Sequence, residues 1–139
     1  MPEPFRTIRR VEFYDTDMAG IVHFTAFFRF MEVAEHDLLR SLGLSVVAQD
    51  QNEHISWPRV SAQCDYRAPA RFDELLQIEV AIAQLGNKSV TYRFTITRDE
   101  TLVAEGRMTA VCCRIRPQVP PEPIVIPAWI REKLAPYAV

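Results

Sequence analysis

The sequence predicts an α+β domain: a curved antiparallel sheet packed around one long central helix. Three observations carry this. Apolar residues between positions 24 and 42 recur at three- and four-residue spacing, as on one face of a helix. Four later segments alternate apolar and polar residues, as half-buried strands do. Strand and helix patterns do not alternate along the chain, which excludes a doubly wound parallel sheet.

The elements follow in order. Over residues 5–13, Phe5, Thr7, Arg9, Val11 and Phe13 share one parity, which predicts a strand with Ile8 as the exception. The helix carries Phe27, Phe28, Met31, Ala34, Leu38, Leu39 and Leu42 on its stripe, runs for about five turns, and ends at Gly43. Residues 45–53 read as a loop. In the next strand Ile55 and Trp57 share a face, and Val60, Ala62, Cys64 and Tyr66 take the other parity, with a bulge or edge at Pro58. Leu76, Ile78, Val80 and Ile82 mark the second strand. After the Gly86–Asn87 turn, Val90, Tyr92, Phe94 and Ile96 mark the third. After Asp99–Glu100 the fourth runs from Leu102 to Ile115. Short turns join the last three, which predicts an antiparallel meander. The proline-rich stretch 117–127 is expected to end the sheet, and residues 128–136 suit a short helix. Neither a repeat nor a second domain is visible, so residues 1–139 read as a single domain.

The totals exclude several classes. The 139 residues suffice for a core, and 48% hydrophobic with 24% charged residues is ordinary for a globular protein. A net charge of −2 without a basic run gives no sign of nucleic-acid binding. No apolar run approaches the ~20 residues of a membrane helix. Three cysteines without a CxxC motif fit reduced thiols and a cytoplasmic setting. No two histidines have metal-ligand spacing.

The segment Asp15-Thr16-Asp17-Met18-Ala19-Gly20-Ile21-Val22-His23-Phe24 carries the chemistry. It places two carboxylates, a glycine turn and a histidine at a helix start. The backbone N–H groups there lack internal partners and favour negative charge. A carboxylate beside them can act as base or nucleophile while N–H groups hold a developing oxyanion. This reads as acyl transfer without metal or cofactor.

The order of these features resembles the hot-dog-fold acyl-CoA thioesterases, in the 4-hydroxybenzoyl-CoA thioesterase type of branch. That branch includes short-chain acyl-CoA thioesterases of bacterial cell-envelope operons. The resemblance rests on Tyr14 to Val22, with Glu32 on the helix and Lys88-Ser89 after a sheet turn. It implies that Asp17 is the catalytic carboxylate and that the Phe24 N–H polarises the thioester carbonyl. It further implies a homodimer with helices side by side, often a dimer of dimers, with active sites between subunits and no cofactor beyond the coenzyme A of the substrate.

The remaining residues are weighed against that frame. Asp15 is expected to shape the turn. Gly20 and Val22 are expected beside the thioester, and Gly20 also suits a plain turn. His23 could shuttle a proton, or simply cap the helix. Lys88, with Ser89 adjacent and Arg71, Arg114 and Arg116 further out, is expected to meet coenzyme A phosphates. Trp57 suits acyl pocket or core equally. Glu35 falls on the apolar stripe, which calls for an arginine partner across a subunit interface or for a catalytic role shared with Glu32. Two other classes stay open: a hot-dog hydratase or dehydratase pairing His23 with Glu32 or Glu35, and a non-catalytic acyl-CoA-binding module.

Overall fold

The computed structural model describes residues 4–50 and 53–139. Among these, β1 (Phe5–Arg10), β5 (Leu75–Leu85), β6 (Ser89–Arg98), β7 (Thr101–Val111) and β4 (Arg59–Tyr66) form one antiparallel sheet in the order β1-β5-β6-β7-β4. A second sheet runs β2 (Ala48–Asp50), β3 (Glu53–Ser56), β8 (Cys113–Ile115), β9 (Glu122–Pro123). The expected meander is β5-β6-β7. Its alternation buries Leu76, Ile78, Val80, Tyr92, Phe94 and Ile96 on one face.

Helix α1 (Ala26–Ser41) covers that face. Its buried stripe is Ala26, Phe27, Phe30, Met31, Ala34, Leu38 and Leu39. Phe28 is only half-buried and Phe30 is buried, because the covered face of α1 extends around to the Ala26 and Phe30 flank. Each Phe, Met and Leu of the stripe contributes roughly 1.5–3 kcal/mol on burial. The closest approach is at Gly106 of β7: a β-carbon there would stand 2.2 Å from Met31 Sδ and 3.0 Å from the Gln63 carbonyl oxygen. Glycine lets the helix sit directly on the sheet.

Several boundaries differ from expectation. The first strand stops at Arg10, and Phe13–Asp15 form a 3₁₀ turn, so Phe13 is exposed. The loop expected over 45–53 contains β2, which pairs with β3; residues 51 and 52 lie outside the described ones. The long fourth strand breaks at Cys112, whose N–H donates to Lys88 O and whose carbonyl accepts from Ile124 N, so the chain passes from one sheet to the other. Cys112 and Cys113 are both buried at that crossing. Within the proline-rich stretch, Glu122 and Pro123 still pair with β8. The short helix α2 (Ala128–Leu134) forms as expected and buries Ile130 and Leu134. The strand break falls at Pro58, with the bulge just beyond it between Arg59 and Ser61.

Glu35 finds its arginine in the same chain rather than across an interface. Arg59, at the start of β4, holds the buried Glu35 carboxylate with two hydrogen bonds, Nη1 to Oε2 at 2.7 Å and Nη2 to Oε1. Burial by itself would lower the Arg59 pKa; the hydrogen bonds and charge of Glu35 outweigh it, and the net shift is upward. Burial, and then the Glu35 charge, push the Tyr92 hydroxyl far up, so it stays neutral. Arg59→Met should therefore cost about 3–5 kcal/mol in urea unfolding, because it strands a buried carboxylate, whereas the Glu35→Leu/Arg59→Met double variant should recover most of that. A double variant as unstable as the single one would contradict the pairing.

Candidate active site

The segment between β1 and α1 folds back on itself. Asp15 O accepts from His23 N at 2.8 Å, Thr16 bridges Val22, and Asp17 N–H donates to Ile21 O at 2.9 Å. Gly20 closes the tip by donating to Asp17 O at 3.0 Å, with φ +80°, where a side chain would be strained. Val22 N–H donates to Ala70 O at 2.8 Å and so joins the loop to the segment after β4.

The two aspartates separate clearly. Asp15 is completely buried: Oδ2 accepts from Glu12 N at 2.8 Å, Oδ1 accepts from Arg29 Nη2 at 3.0 Å, and Arg9 lies 3.8 Å away. Asp17 is exposed. Its Oδ1 accepts from Ala19 N at 2.8 Å, and its Oδ2 has no hydrogen-bond partner among the described residues.

Asp17 borders a cleft of about 460 Å³ together with Ile21, Val22, Phe24, Phe27 and the run Tyr66, Arg67, Ala68, Pro69, Ala70. The walls are chiefly apolar, with Asp17, the Tyr66 hydroxyl and Arg67 as the polar groups. Among the described residues nothing accepts a hydrogen bond from the Phe24 N–H, which stands just before α1. Tyr66 braces that helix start: its hydroxyl donates to Phe24 O at 2.8 Å and its ring packs edge-on against Phe27 at 5.4 Å. Burial, then Cys64, raises the Tyr66 pKa, so the hydroxyl keeps its proton at neutral pH.

Asp17, Val22 and Phe24 thus meet around one space, and Gly20 shapes the loop behind it. Other candidates lie elsewhere in the chain. The Thr25 N–H donates to His23 Nδ1 at 3.2 Å and the Thr25 hydroxyl is 2.7 Å from it, so His23 is turned onto the residue before α1 and does not border the cleft. Trp57 is buried between β3 and β4 and is core, not cleft wall, because the chain turns it inward just before Pro58. Lys88 and Ser89 lie at the far end of the sheet. Ser89 pairs with Val111 and Tyr66 with Ala104, so the distance along β7 is about 24 Å at ~3.4 Å per residue. Their turn is held by Arg131 of α2, which donates to Gly86 O at 2.6 Å and Asn87 O at 3.2 Å. Arg71 is near the loop: a β-carbon at Gly20 would stand 4.0 Å from its Nη1. Arg114 pairs with Glu122. Glu32 opens onto a separate hollow with Arg9, Tyr14 and Arg29.

Tyr66 and Arg67 were not anticipated. The only signal was the end of the β4 alternation in an aromatic residue, a cation and Ala-Pro-Ala. Among the described residues, no three His, Cys, Asp or Glu side chains cluster as metal ligands, and no helix is long and apolar enough to cross a membrane.

The model of the thioesterase-like superfamily matches residues 11–134. The acyl-CoA thioester hydrolase YbgC of Escherichia coli O6:H1 is 30% identical over 125 residues, covering 87% of this chain and 92% of that protein. The 4-hydroxybenzoyl-CoA thioesterase of Pseudomonas sp. is 32% identical over 92 residues, 65% of each chain. The crystal structure of Slr0204, a 1,4-dihydroxy-2-naphthoyl-CoA thioesterase from Synechocystis, superposes with a TM-score of 0.82 at 25% identity, covering 96% of both chains. The chain therefore belongs to the thioesterase-like superfamily, with the hot-dog fold. Its class of reaction is thioester hydrolysis.

Asp15→Ala should lower stability by on the order of 2 kcal/mol, since it removes charge-assisted hydrogen bonds to a backbone N–H and an arginine. It should also speed amide hydrogen exchange across residues 16–22. Unchanged exchange in that loop would show that Asp15 does not anchor it.

Proposed function

We propose that this protein is an acyl-CoA thioesterase, releasing a carboxylic acid and free coenzyme A. The observation that carries the reading is the shared cleft: an exposed Asp17 carboxylate on one side and the unpartnered Phe24 N–H at the helix start on the other. A thioester carbonyl between them would be polarised by that N–H, which offers a hydrogen bond where negative charge develops. The Asp17 carboxylate would then attack the carbonyl carbon, giving a mixed anhydride that water cleaves, or take a proton from an attacking water. In either route the C–S bond breaks, the sulfur leaves as thiolate and gains a proton, and no cofactor is consumed. The relatives named above, an acyl-CoA thioester hydrolase and a 4-hydroxybenzoyl-CoA thioesterase, support coenzyme A as the carrier. A cytoplasmic setting belongs to the same reading and suits the three unbridged cysteines.

The second part of the reading is a homodimer. β4 is an edge strand, and the face that should be buried is open: Val60 is 64% and Tyr66 45% exposed. An unpaired edge of this kind invites pairing with another strand. If two copies pair β4 antiparallel, the Arg59 end of one lies beside the Tyr66 end of the other. The Lys88–Ser89 turn stands at the Arg59 end of its own sheet. Such a dimer brings the second copy's Lys88 and Ser89 toward this cleft, where they would meet the phosphates of coenzyme A.

The hydratase alternative has less support: Glu35 is held by Arg59, His23 Nδ1 faces Thr25, and Glu32 opens onto a hollow that His23 does not border. Asp17→Asn should reduce thiol release at least about 10²-fold, the scale of a lost general base or nucleophile, across short aliphatic, long aliphatic and aromatic acyl-CoAs. Wild-type turnover by Asp17→Asn on every acyl-CoA the native protein cleaves would remove Asp17 from the mechanism. Absence of thiol release by the native protein, with coenzyme A still bound, would favour the non-catalytic module.

A further inference from the structure

His23, Phe24, Thr25 and Ala26 form a turn just ahead of the helix. The Ala26 N–H donates to His23 O at 2.9 Å, and Thr25 has φ −76° and ψ −21°, near the values of the third residue of a type I turn. The His23 carbonyl and the Phe24 N–H share one planar peptide and point opposite ways. With the carbonyl drawn in onto Ala26, the N–H points out of the turn, where no group of the described residues accepts it. Its bearing then depends on how firmly the turn holds Phe24.

The next peptide, between Phe24 and Thr25, is held at both ends by side chains. Its N–H donates to His23 Nδ1 at 3.2 Å, and the Thr25 hydroxyl stands 2.7 Å from the same nitrogen. Its oxygen accepts from the Tyr66 hydroxyl at 2.8 Å. A regular helix start would give that oxygen to the N–H four residues on. Here the Phe28 N–H donates to Thr25 O instead, at 3.2 Å, which leaves Phe24 O for a partner from the sheet. Both partners are themselves anchored. The His23 N–H donates to Asp15 O at 2.8 Å, and its ring stacks on that of Phe24 at 4.7 Å. Tyr66 is fixed by strand pairing opposite Ala104 and by its edge contact with Phe27.

Neither side chain belongs to the core, since both are exposed. Their effect is local: both peptides flanking Phe24 are fixed, one to the helix and the other to the loop and the sheet. An N–H held in this way needs no reorganisation when negative charge develops beside it. We propose that His23 and Tyr66 are positioning residues that clamp the Phe24–Thr25 peptide from its two ends and so aim the Phe24 N–H at the thioester carbonyl. The proposal rests on the Phe24 N–H as oxyanion donor. It gives His23 a part in the reaction as acceptor of a backbone N–H, not as a carrier of protons.

Thiol release from the acyl-CoA that the native protein cleaves fastest tests it, with urea midpoints close to wild type expected in every variant. His23→Phe keeps a ring beside Phe24 and loses the acceptor. It should lower kcat on the order of 10-fold and change KM by less than about twofold, because the contact weakened is one to the transition state. His23→Asn loses the ring and keeps an acceptor oxygen on Cγ, where Nδ1 stands; it should recover most of that kcat. Tyr66→Phe keeps the ring against Phe27 and should match His23→Phe. The double variant His23→Phe/Tyr66→Phe should be little slower than either single one, since freeing one end of the peptide already loosens it. Wild-type kcat in His23→Phe or Tyr66→Phe, a His23→Asn slower than His23→Phe, or losses that multiply in the double variant would overturn the clamp and leave the thioesterase reading in place. Absence of thiol release by the native protein from every acyl-CoA would remove that reading, and the clamp with it.

Discussion

Asp15 joins three parts of the chain at one buried carboxylate: the end of β1 through Arg9, the 3₁₀ turn through Glu12 N–H, and the first turns of α1 through Arg29. A carboxylate taken wholly out of water must recover its hydration from such partners. Once it does, the ends of the loop cannot separate, because the Asp15 carbonyl also holds His23 N–H. The exposed aspartate two residues on is therefore carried by a tied loop, and it borders the same cleft as Phe24 at the helix start. Tyr66 completes the brace from the sheet side. The charge that does the anchoring and the charge available for chemistry differ only in what surrounds them.

The second constraint is incompleteness. Helix α1 reaches β4 at both ends, through Glu35 on Arg59 and Phe27 on Tyr66, but leaves its middle thinly covered and its edge open. β4 is held by its pairing with β7, by Arg59 on Glu35 and by Tyr66 on Phe27, yet its outer edge has no partner strand among the described residues of its own chain. The same region supplies Tyr66 and Arg67 to the cleft. Completion of the fold and completion of the site are thus the same event if a second copy pairs there.

The sequence revealed most where a pattern was local and long. The α1 stripe and the β5-β6-β7 meander were legible because period 3.6 or 2 persisted over many residues. Phe30 was missed because the buried face of α1 is wider than the stripe and takes in the Ala26–Phe30 flank. β2 and β9 were missed because polar and proline residues enter them through pairing with neighbours, not through alternation. The Cys112–Cys113 crossing hid for a related reason: between two sheets both parities are buried. In the site, Asp17, Val22 and Phe24 were legible because they share one short segment. Tyr66 and Arg67 were not, since the sheet brings them in from a distant strand. Lys88 and Ser89 were assigned by kinship of motif and Trp57 was open between pocket and core; one chain alone does not gather them at Asp17.

Gly106 bears on the cleft from behind. Met31 is seated where a side chain at 106 would be, so this one missing methyl sets the spacing between α1 and the sheet. Phe24 and Phe27 move with α1, and Tyr66 moves with the sheet, being on β4 next to β7. The width of the gap between those rings is therefore adjusted at a residue that does not line the cleft. For a lineage that has to change the girth of the group it accepts, the helix–sheet contact is a calliper: resizing Met31 against Gly106 opens or narrows the cleft while every residue lining it stays the same.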